Sequence, residues 1–214
     1  MKRTLSAAAL VLMFGTTAPA HRLDEYLQGT ILSVQKNRIQ ASMTLTPGVA
    51  VFPFVLADLD ADRNGSISAS EQQAYARRVL RDLKLTLDTE ALPLHLATLK
   101  FPAIEDMKEG RGEIRIEYEA DLPTGGGDRK LTLENHHQTR ISAYQVNCLI
   151  STDPDIKLGS QIRNYSQSSY ELNFKEAGVQ HGRGIGTPMW IVGLGLFALI
   201  TLLRQQSHRT NRWL

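Results

Sequence analysis

Residues 60–71 read DADRNGSISASE and carry an oxygen-bearing side chain at every second position as far as Ser68. Ca²⁺ binds six to eight oxygens at about 2.3–2.6 Å, so a loop that holds it must bring alternate side chains together while its backbone turns. Gly65 allows that turn, because glycine adopts positive φ without a Cβ clash. The residues at the ligand positions are Asp60, Asp62, Asn64, Ser66, Ser68 and Glu71. The spacing predicts a calcium site.

The residues on both sides of this loop predict helices, so that residues 53–83 form an EF-hand. Ser68 and Glu71 have the S-x-x-E spacing of a capping box, in which each residue binds a free amide of the other at a helix start. The following helix, from Ala69 to about Leu83, has an apolar stripe that includes Tyr75. The entering helix is shorter than in most EF-hands. A polar turn that binds no ion is the alternative interpretation.

The ligand set predicts a structural calcium site rather than a sensor. Ser66 is expected to bind through its carbonyl oxygen, Ser68 directly or through a water, and Glu71 through both carboxylate oxygens. A sensor EF-hand normally pairs with a second loop, and the sequence contains no second loop. We therefore expect a dissociation constant of about 10⁻⁴–10⁻³ M, as in extracellular modules.

Composition is ordinary for one soluble domain, with 214 residues, 42% hydrophobic and 21% charged, and a net charge of +2. This near-neutral net charge gives no reason to expect a nucleic-acid partner.

The two ends of the chain differ from this average composition. Lys2 and Arg3 precede an apolar run, and the small residues up to Ala20 suit a cleavage site, so residues 1–20 are predicted to be a signal peptide. An uncleaved anchor is the alternative.

The C-terminal end predicts one membrane anchor. Residues 188–203 are apolar and uncharged, and Arg204 begins a basic tail at 204–214. These two segments predict that the chain is a single-pass protein of the cell membrane. Its ectodomain, residues 21–175, lies in the periplasm, a glycine-containing stalk at 176–187 is flexible, and the tail is cytoplasmic. Removal of the anchor by a processing enzyme is a minor alternative.

The ectodomain pattern predicts an α+β fold that is mostly β, an antiparallel sandwich with the EF-hand as its helical insertion. Residues 26–34 and 39–46 alternate as a hairpin, and residues 113–122 are the clearest strand. Further strands are expected at 83–87, 91–100, 130–134, 142–150 and 170–174, with a bulge near Ala97.

The only cysteine, Cys148, excludes an intramolecular disulfide. It alternates with Tyr144, Val146 and Ile150 on one predicted strand face, so we expect a buried small hydrophobe rather than a reactive thiol or an intermolecular bridge.

The start of the mature chain, HRLDEYL from His21, followed by a hairpin and an EF-hand loop, resembles the extracytoplasmic N-terminal region of HupE/UreJ-type membrane proteins. It also resembles stand-alone bacterial EF-hand proteins that share this region. The HupE/UreJ group is regarded as nickel or cobalt permeases or accessory proteins, and its members have several membrane spans. This sequence predicts only one span. The resemblance therefore implies a shared extracytoplasmic domain and a transporter as a partner of this chain, but it does not imply that this chain transports metal.

The histidines suggest a second metal site. The α-amine and imidazole of His21 would suit copper or nickel if cleavage leaves this residue first, and His136 and His137 would complete the site. Against this, adjacent histidines on a strand point to opposite faces, and the pair is equally well explained as part of a surface turn.

No catalytic motif is present. The sequence has no Gly-x-Ser-x-Gly elbow, no His-Glu-x-x-His and no phosphate-binding glycine loop, so we predict that the chain is not an enzyme. The predicted function is calcium binding for structural stabilisation or calcium-dependent partner recognition. The alternatives are a copper-, nickel- or cobalt-binding accessory of a HupE/UreJ-type transporter, and an interaction protein whose calcium loop is vestigial.

Overall fold

The computed structural model describes residues 24–177, which form two five-stranded sheets and three helices. The prediction of a mostly β, α+β fold is confirmed. In chain order the elements are β1 (Tyr26–Gln35), β2 (Arg38–Pro47), α1 (Phe52–Leu59), α2 (Ala69–Asp82), β3 (Leu83–Leu87), β4 (Glu90–Leu92), β5 (His95–Lys100), α3 (Ile104–Lys108), β6 (Ile114–Asp121), β7 (Gly127–Asn135), β8 (Ser142–Cys148), β9 (Ile156–Arg163) and β10 (Ser169–Glu176).

The strands are ordered β5-β6-β2-β1-β8 in the first sheet and β4-β3-β7-β10-β9 in the second. Among the described strands, all pairs are antiparallel except one: β8 runs parallel to β1, with Tyr26 opposite Ser142. The predicted antiparallel arrangement is wrong at this pair of strands. The chain between β2 and β8 passes through both sheets before it returns, so β8 reaches the free edge of β1 in the same direction as β1.

Alternating side chains from both sheets fill one core. The clearest case is β6, where Ile114, Ile116, Tyr118 and Ala120 are buried and the charged residues between them face outward. This is the alternation predicted from the sequence. From the other sheet, Leu131, Leu172 and Phe174 join the same apolar cluster. Burial of these faces against each other is the main force that holds the two sheets together.

Most expected strands are present, but the single strand expected at 91–100 is wrong, since this segment is divided into β4 and β5 in different sheets, and two further elements were not predicted. The bulge at Ala97 is confirmed, since the pairing of β5 with β6 shifts between Leu96 and Thr98. The unpredicted elements are β9 and α3. Strand β9 is an edge strand with mostly exposed side chains, so it lacks the alternation that marks a half-buried strand. Helix α3 has five residues, too few to show helical periodicity.

The helical insertion lies between β2 and β3. Helix α2 begins after Ser68 with the predicted capping box and buries Tyr75, Ala76 and Val79. Helix α1 is short, as expected, and Phe54 within it is 65% exposed.

The last strand runs to Glu176, one residue beyond the expected end of the ectodomain. The carboxylate of Glu176 is buried and pairs with Arg129 at 3.0 Å, so the predicted stalk does not begin at 176. The predicted signal peptide, His21, the anchor and the basic tail lie outside the described residues. Among the residues that are described, no helix is long and apolar enough to cross a membrane.

Candidate metal centre

The acidic loop, residues 60–71, joins α1 to α2 and turns tightly around its own carboxylates. Two residues have left-handed backbones, Gly65 with φ of 81° and Arg63 with φ of 59°. The turn brings the Asp60 carboxylate under the following backbone. Its two oxygens accept hydrogen bonds from the N–H groups of Asn64 at 3.0 Å and Gly65 at 2.9 Å. Asp60 is thereby only 6% exposed, although its carboxylate is ionisable.

Three carboxylates converge in this loop. One oxygen each of Asp60, Asp62 and Glu71 lies within 4.8 Å of the other two. Within the described residues, none of the three forms a salt bridge with a lysine, an arginine or a histidine. Like charges this close repel one another. A divalent cation would offset that repulsion, and an all-oxygen set suits hard cations such as Ca²⁺ or Mg²⁺.

The remaining loop residues orient one another. The Asn64 side-chain amide donates to Asp62 at 2.8 Å, and its carbonyl oxygen accepts from the Ser66 N–H at 2.8 Å and the Ser66 hydroxyl at 2.6 Å. Asn64 and Ser66 therefore lie beside the carboxylate cluster, with their polar atoms bonded to each other. All six predicted ligands belong to one hydrogen-bonded loop.

Glu71 connects the two ends of the loop. One carboxylate oxygen accepts from the Ala61 N–H at 2.8 Å, and the other accepts from the Ser68 N–H at 2.9 Å and hydroxyl at 2.7 Å. These bonds, led by the one from the Ser68 hydroxyl, hold the pKa of Glu71 below its usual value. The carboxylate thus stays ionised and oriented at the position where a calcium loop closes its ligand shell.

The predicted second metal site is not assembled by the described residues. His136 is exposed and its ring contacts Glu134 at 3.1 Å. The ring of His137 is buried, and both of its nitrogens are engaged, one with Tyr75 and one with Asp82. A metal could reach His137 only by displacing one of these bonds. His21 lies outside the described residues, so its part in such a site stays a prediction.

A hydrogen-bonded network joins Tyr75 and Asp82 of helix α2 to Tyr26 and His137; its two tyrosines and its histidine are buried, and Asp82 is partly exposed. The hydroxyls of Tyr26 and Tyr75 are 2.7 Å apart, Tyr75 Oη is 3.0 Å from His137 Nε2, and His137 Nδ1 is 2.7 Å from Asp82 Oδ2. Burial lowers the pKa of His137, although Asp82 opposes this effect. The neutral ring donates from Nδ1–H to Asp82 and accepts at Nε2 from Tyr75. Burial likewise raises the pKa values of both tyrosines, so these groups remain uncharged.

Polar side chains also fix the main chain of His137. Its carbonyl oxygen accepts from Gln28 Nε2 and from the Tyr144 hydroxyl, each at 2.9 Å. Its N–H donates to Asn135 Oδ1 at 2.9 Å. Sequence reasoning missed this network, because its members come from β1, α2, the β7–β8 connection and β8. No local pattern in the sequence marks such a set.

Cys148 is half-buried rather than fully buried, and Ile150, expected on the same face, is 89% exposed because β8 ends at Cys148. Burial raises the pKa of the Cys148 thiol to about 11, which keeps it protonated near neutral pH. A protonated thiol is a poor nucleophile, in agreement with the expected packing role.

Comparison with protein-family models, with curated proteins and with solved structures finds no match for this chain.

Proposed function

We propose that this chain is a calcium-binding extracytoplasmic protein in which residues 60–71 act as the loop of an EF-hand. The observation that carries the proposal is the convergence of Asp60, Asp62 and Glu71 within 4.8 Å without a cationic partner among the described residues. Calcium would be held by these three carboxylates together with Asn64, Ser66 and Ser68, the set predicted from the spacing.

The role that fits best is stabilisation. The loop connects a short, partly exposed α1 to a well-packed α2, and its own hydrogen bonds already define its course. An ion at this position would link the end of α1 to the start of α2 through Asp60 and Glu71. Recognition of a partner at the calcium-loaded surface is a further part of the proposal, with a membrane protein such as a transporter as the expected class of partner.

The proposed location is the outer side of a membrane, with residues 1–20 as signal peptide and residues 188–203 as a single anchor. Millimolar calcium occurs in extracytoplasmic compartments, which suits a site of modest affinity. We propose no catalytic activity.

The test is thermal unfolding of the full chain with chelator, with 10 mM Ca²⁺ or with 10 mM Mg²⁺. A ligand that binds only the folded state adds RT ln(1 + [L]/Kd), which is about 2.7 kcal/mol at a hundred times Kd. We expect a rise with Ca²⁺ that exceeds the rise with Mg²⁺. Equal unfolding with Ca²⁺ and chelator would overturn the proposal and favour a vestigial loop.

A parallel titration with micromolar Cu²⁺ or Ni²⁺, on the chain cleaved before His21, distinguishes the accessory-protein alternative. Stabilisation by these ions alone, abolished when an alanine is inserted before His21, would move the assignment to a transition-metal site.

A further inference from the structure

A second candidate site lies on the other side of α2 from the hydrogen-bonded network and is independent of the calcium proposal. A groove of about 640 Å³ runs between the C-terminal half of α2 and the crossover from β4 to β5. It forms because the chain leaves one sheet after Leu92 and enters the other at His95, with Pro93 between them. Strands β4 and β5 are therefore both edge strands, and α2 covers them only in part.

Leucines form the floor of this groove. They are Leu80, Leu83, Leu85, Leu92, Leu94 and Leu96. Leu83, Leu85 and Leu92 belong to the buried core, whereas Leu80, Leu94 and Leu96 are only half-buried and present apolar surface to the groove. The leucine side chains offer no hydrogen-bonding groups, so an occupant gains free energy there by burying hydrocarbon.

The rim is basic. Arg77 and Arg81, one helical turn apart on α2, border the groove together with Lys84 and His95. Among the described residues, no acidic side chain lines the groove and neither arginine forms an ion pair; the Arg77 guanidinium donates a long hydrogen bond to Gln73 Oε1, at 3.5 Å. Lys84 is 3.9 Å from Glu134, which leaves the two arginines as the uncompensated charges.

We propose that this groove binds a single-chain anionic amphiphile, a fatty acid, with its hydrocarbon chain on the leucines and its carboxylate at Arg77 and Arg81. A volume of 640 Å³ lies within the usual range for small-molecule sites, which combine apolar walls with few polar groups. The guanidinium fork suits a carboxylate, because it donates two parallel hydrogen bonds.

An acidic peptide added as a strand fits less well. Strand β4 has three residues, and β5 is interrupted by the bulge at Ala97, so the free edges offer a peptide few regular main-chain hydrogen bonds. A bilayer surface would meet the arginines with many headgroups at once, and the comparison of acid with alcohol below separates that case from a single bound carboxylate.

The experiment uses the full chain in phosphatidylcholine vesicles and a palmitate analogue with a diazirine in its chain. Irradiation attaches the analogue covalently to nearby residues, and peptide mapping then identifies the labelled segment. Analogue that reacts with vesicle lipid does not appear in the peptide map. We expect labelling within residues 77–96. The same analogue with an alcohol in place of the carboxylate should label this segment about tenfold less, since the charge interaction is absent.

Two variants test the two halves of the groove. Arg77→Glu with Arg81→Glu should reduce labelling about tenfold, because both attractive charges become repulsive. Ala91→Trp should reduce it by filling the groove from the exposed Ala91. The matched control is Lys157→Glu with Lys175→Glu, an adjacent exposed pair on β9 and β10 whose surroundings include Asp88 and Asp128. It makes the same change in net charge and should leave labelling intact.

Label outside residues 77–96, equal labelling by acid and alcohol, or undiminished labelling of the arginine variant would overturn the proposal. Labelling that falls equally in the lysine control would reduce it to a general charge effect and also overturn it. If the arginine variant does not fold, two other results test the proposal. These are the labelling of Ala91→Trp and the comparison of the acid with the alcohol on the natural sequence. Displacement of the label by an acidic peptide but not by palmitate would assign the groove to a peptide.

Discussion

The hydroxyl of Tyr75 lies 3.0 Å from Nε2 of His137, a residue 62 positions further along the chain. This contact joins helix α2, which leaves the acidic loop, to the connection between β7 and β8. Tyr26 of β1 binds the same hydroxyl from the other side. The exit helix of the loop is therefore attached to the first sheet by directional bonds as well as by apolar packing, and a rigid α2 gives Glu71 a fixed position.

Tyr75→Phe tests the value of this attachment. The change leaves His137 Nε2 and the Tyr26 hydroxyl without a partner in a buried site, so we expect a loss of about 1–3 kcal/mol in the free energy of unfolding. Chemical denaturation measures it. The control is Tyr118→Phe, since the buried Tyr118 hydroxyl lies near Thr30 but has no hydrogen bond of normal geometry within the described residues. A loss at Tyr118 as large as at Tyr75 would contradict our account of the network.

His137 should make stability depend on pH. Burial lowers the pKa of His137 in the folded chain, and the nearby Arg78 acts in the same direction. Asp82 and Asp58 raise this pKa, but their effect is smaller than that of burial. In the unfolded chain the pKa is near 6.5, so below this pH the unfolded state binds more protons and the free energy of unfolding falls. The contribution is complete above about pH 6.5 and is lost as the pH falls towards the folded pKa.

We expect His137→Gln to lower stability overall and to flatten the decrease of the free energy of unfolding as the pH falls below about 6.5. Denaturant unfolding at a series of pH values gives this slope. His136→Gln, one residue away and exposed, is the matched control and should keep the slope of the natural sequence. A slope unchanged by His137→Gln would show that other groups cause the dependence.

Glu71→Gln tests the loop directly. The amide retains one acceptor oxygen but loses the charge and the two-oxygen geometry that closes a calcium shell, so we expect calcium affinity to fall at least about tenfold. Calorimetric titration of the full chain measures the affinity. Glu105→Gln makes the same chemical change at an exposed position on α3 and should bind as the natural sequence does. Equal affinities in both variants would place calcium elsewhere.

Arg129→Ala tests how the last described strand is held. Arg129 is 11% exposed in its side chain and pairs with the buried Glu176, so its removal leaves a buried carboxylate without its cation. We expect a loss of about 3–5 kcal/mol in the free energy of unfolding. At the exposed pair of Arg115 with Glu113, Arg115→Ala should cost about 1 kcal/mol or less. Similar costs at the two positions would mean that burial of Glu176 does not matter.

Local patterns in the sequence predicted much of this molecule. The hairpin of β1 and β2, the alternation in β6, the bulge at Ala97 and the capping box of Ser68 and Glu71 depend on residues close in sequence or on one repeated period. The six candidate ligands of the acidic loop were identified for the same reason, since all lie within twelve positions, and their binding of calcium stays a prediction.

Features that depend on distant residues were not predicted. The environment of His137 is set by Tyr75 and Asp82 on α2, so its burial could not be inferred from the segment ENHHQ. The parallel position of β8 and the burial of Glu176 beside Arg129 likewise depend on which strands become neighbours. Strand β9 carried too few alternating apolar residues to be recognised.

The parallel pairing of β1 with β8 joins distant parts of the chain. Gln28 and Ser142, bonded across this pair, are 114 positions apart, so the first strand completes its partners only after almost the whole domain has been made. Contacts at such separation slow folding, because a long loop must close before they form. Strand β1 therefore has only one of its two neighbours, β2, until residues 142–148 have been made.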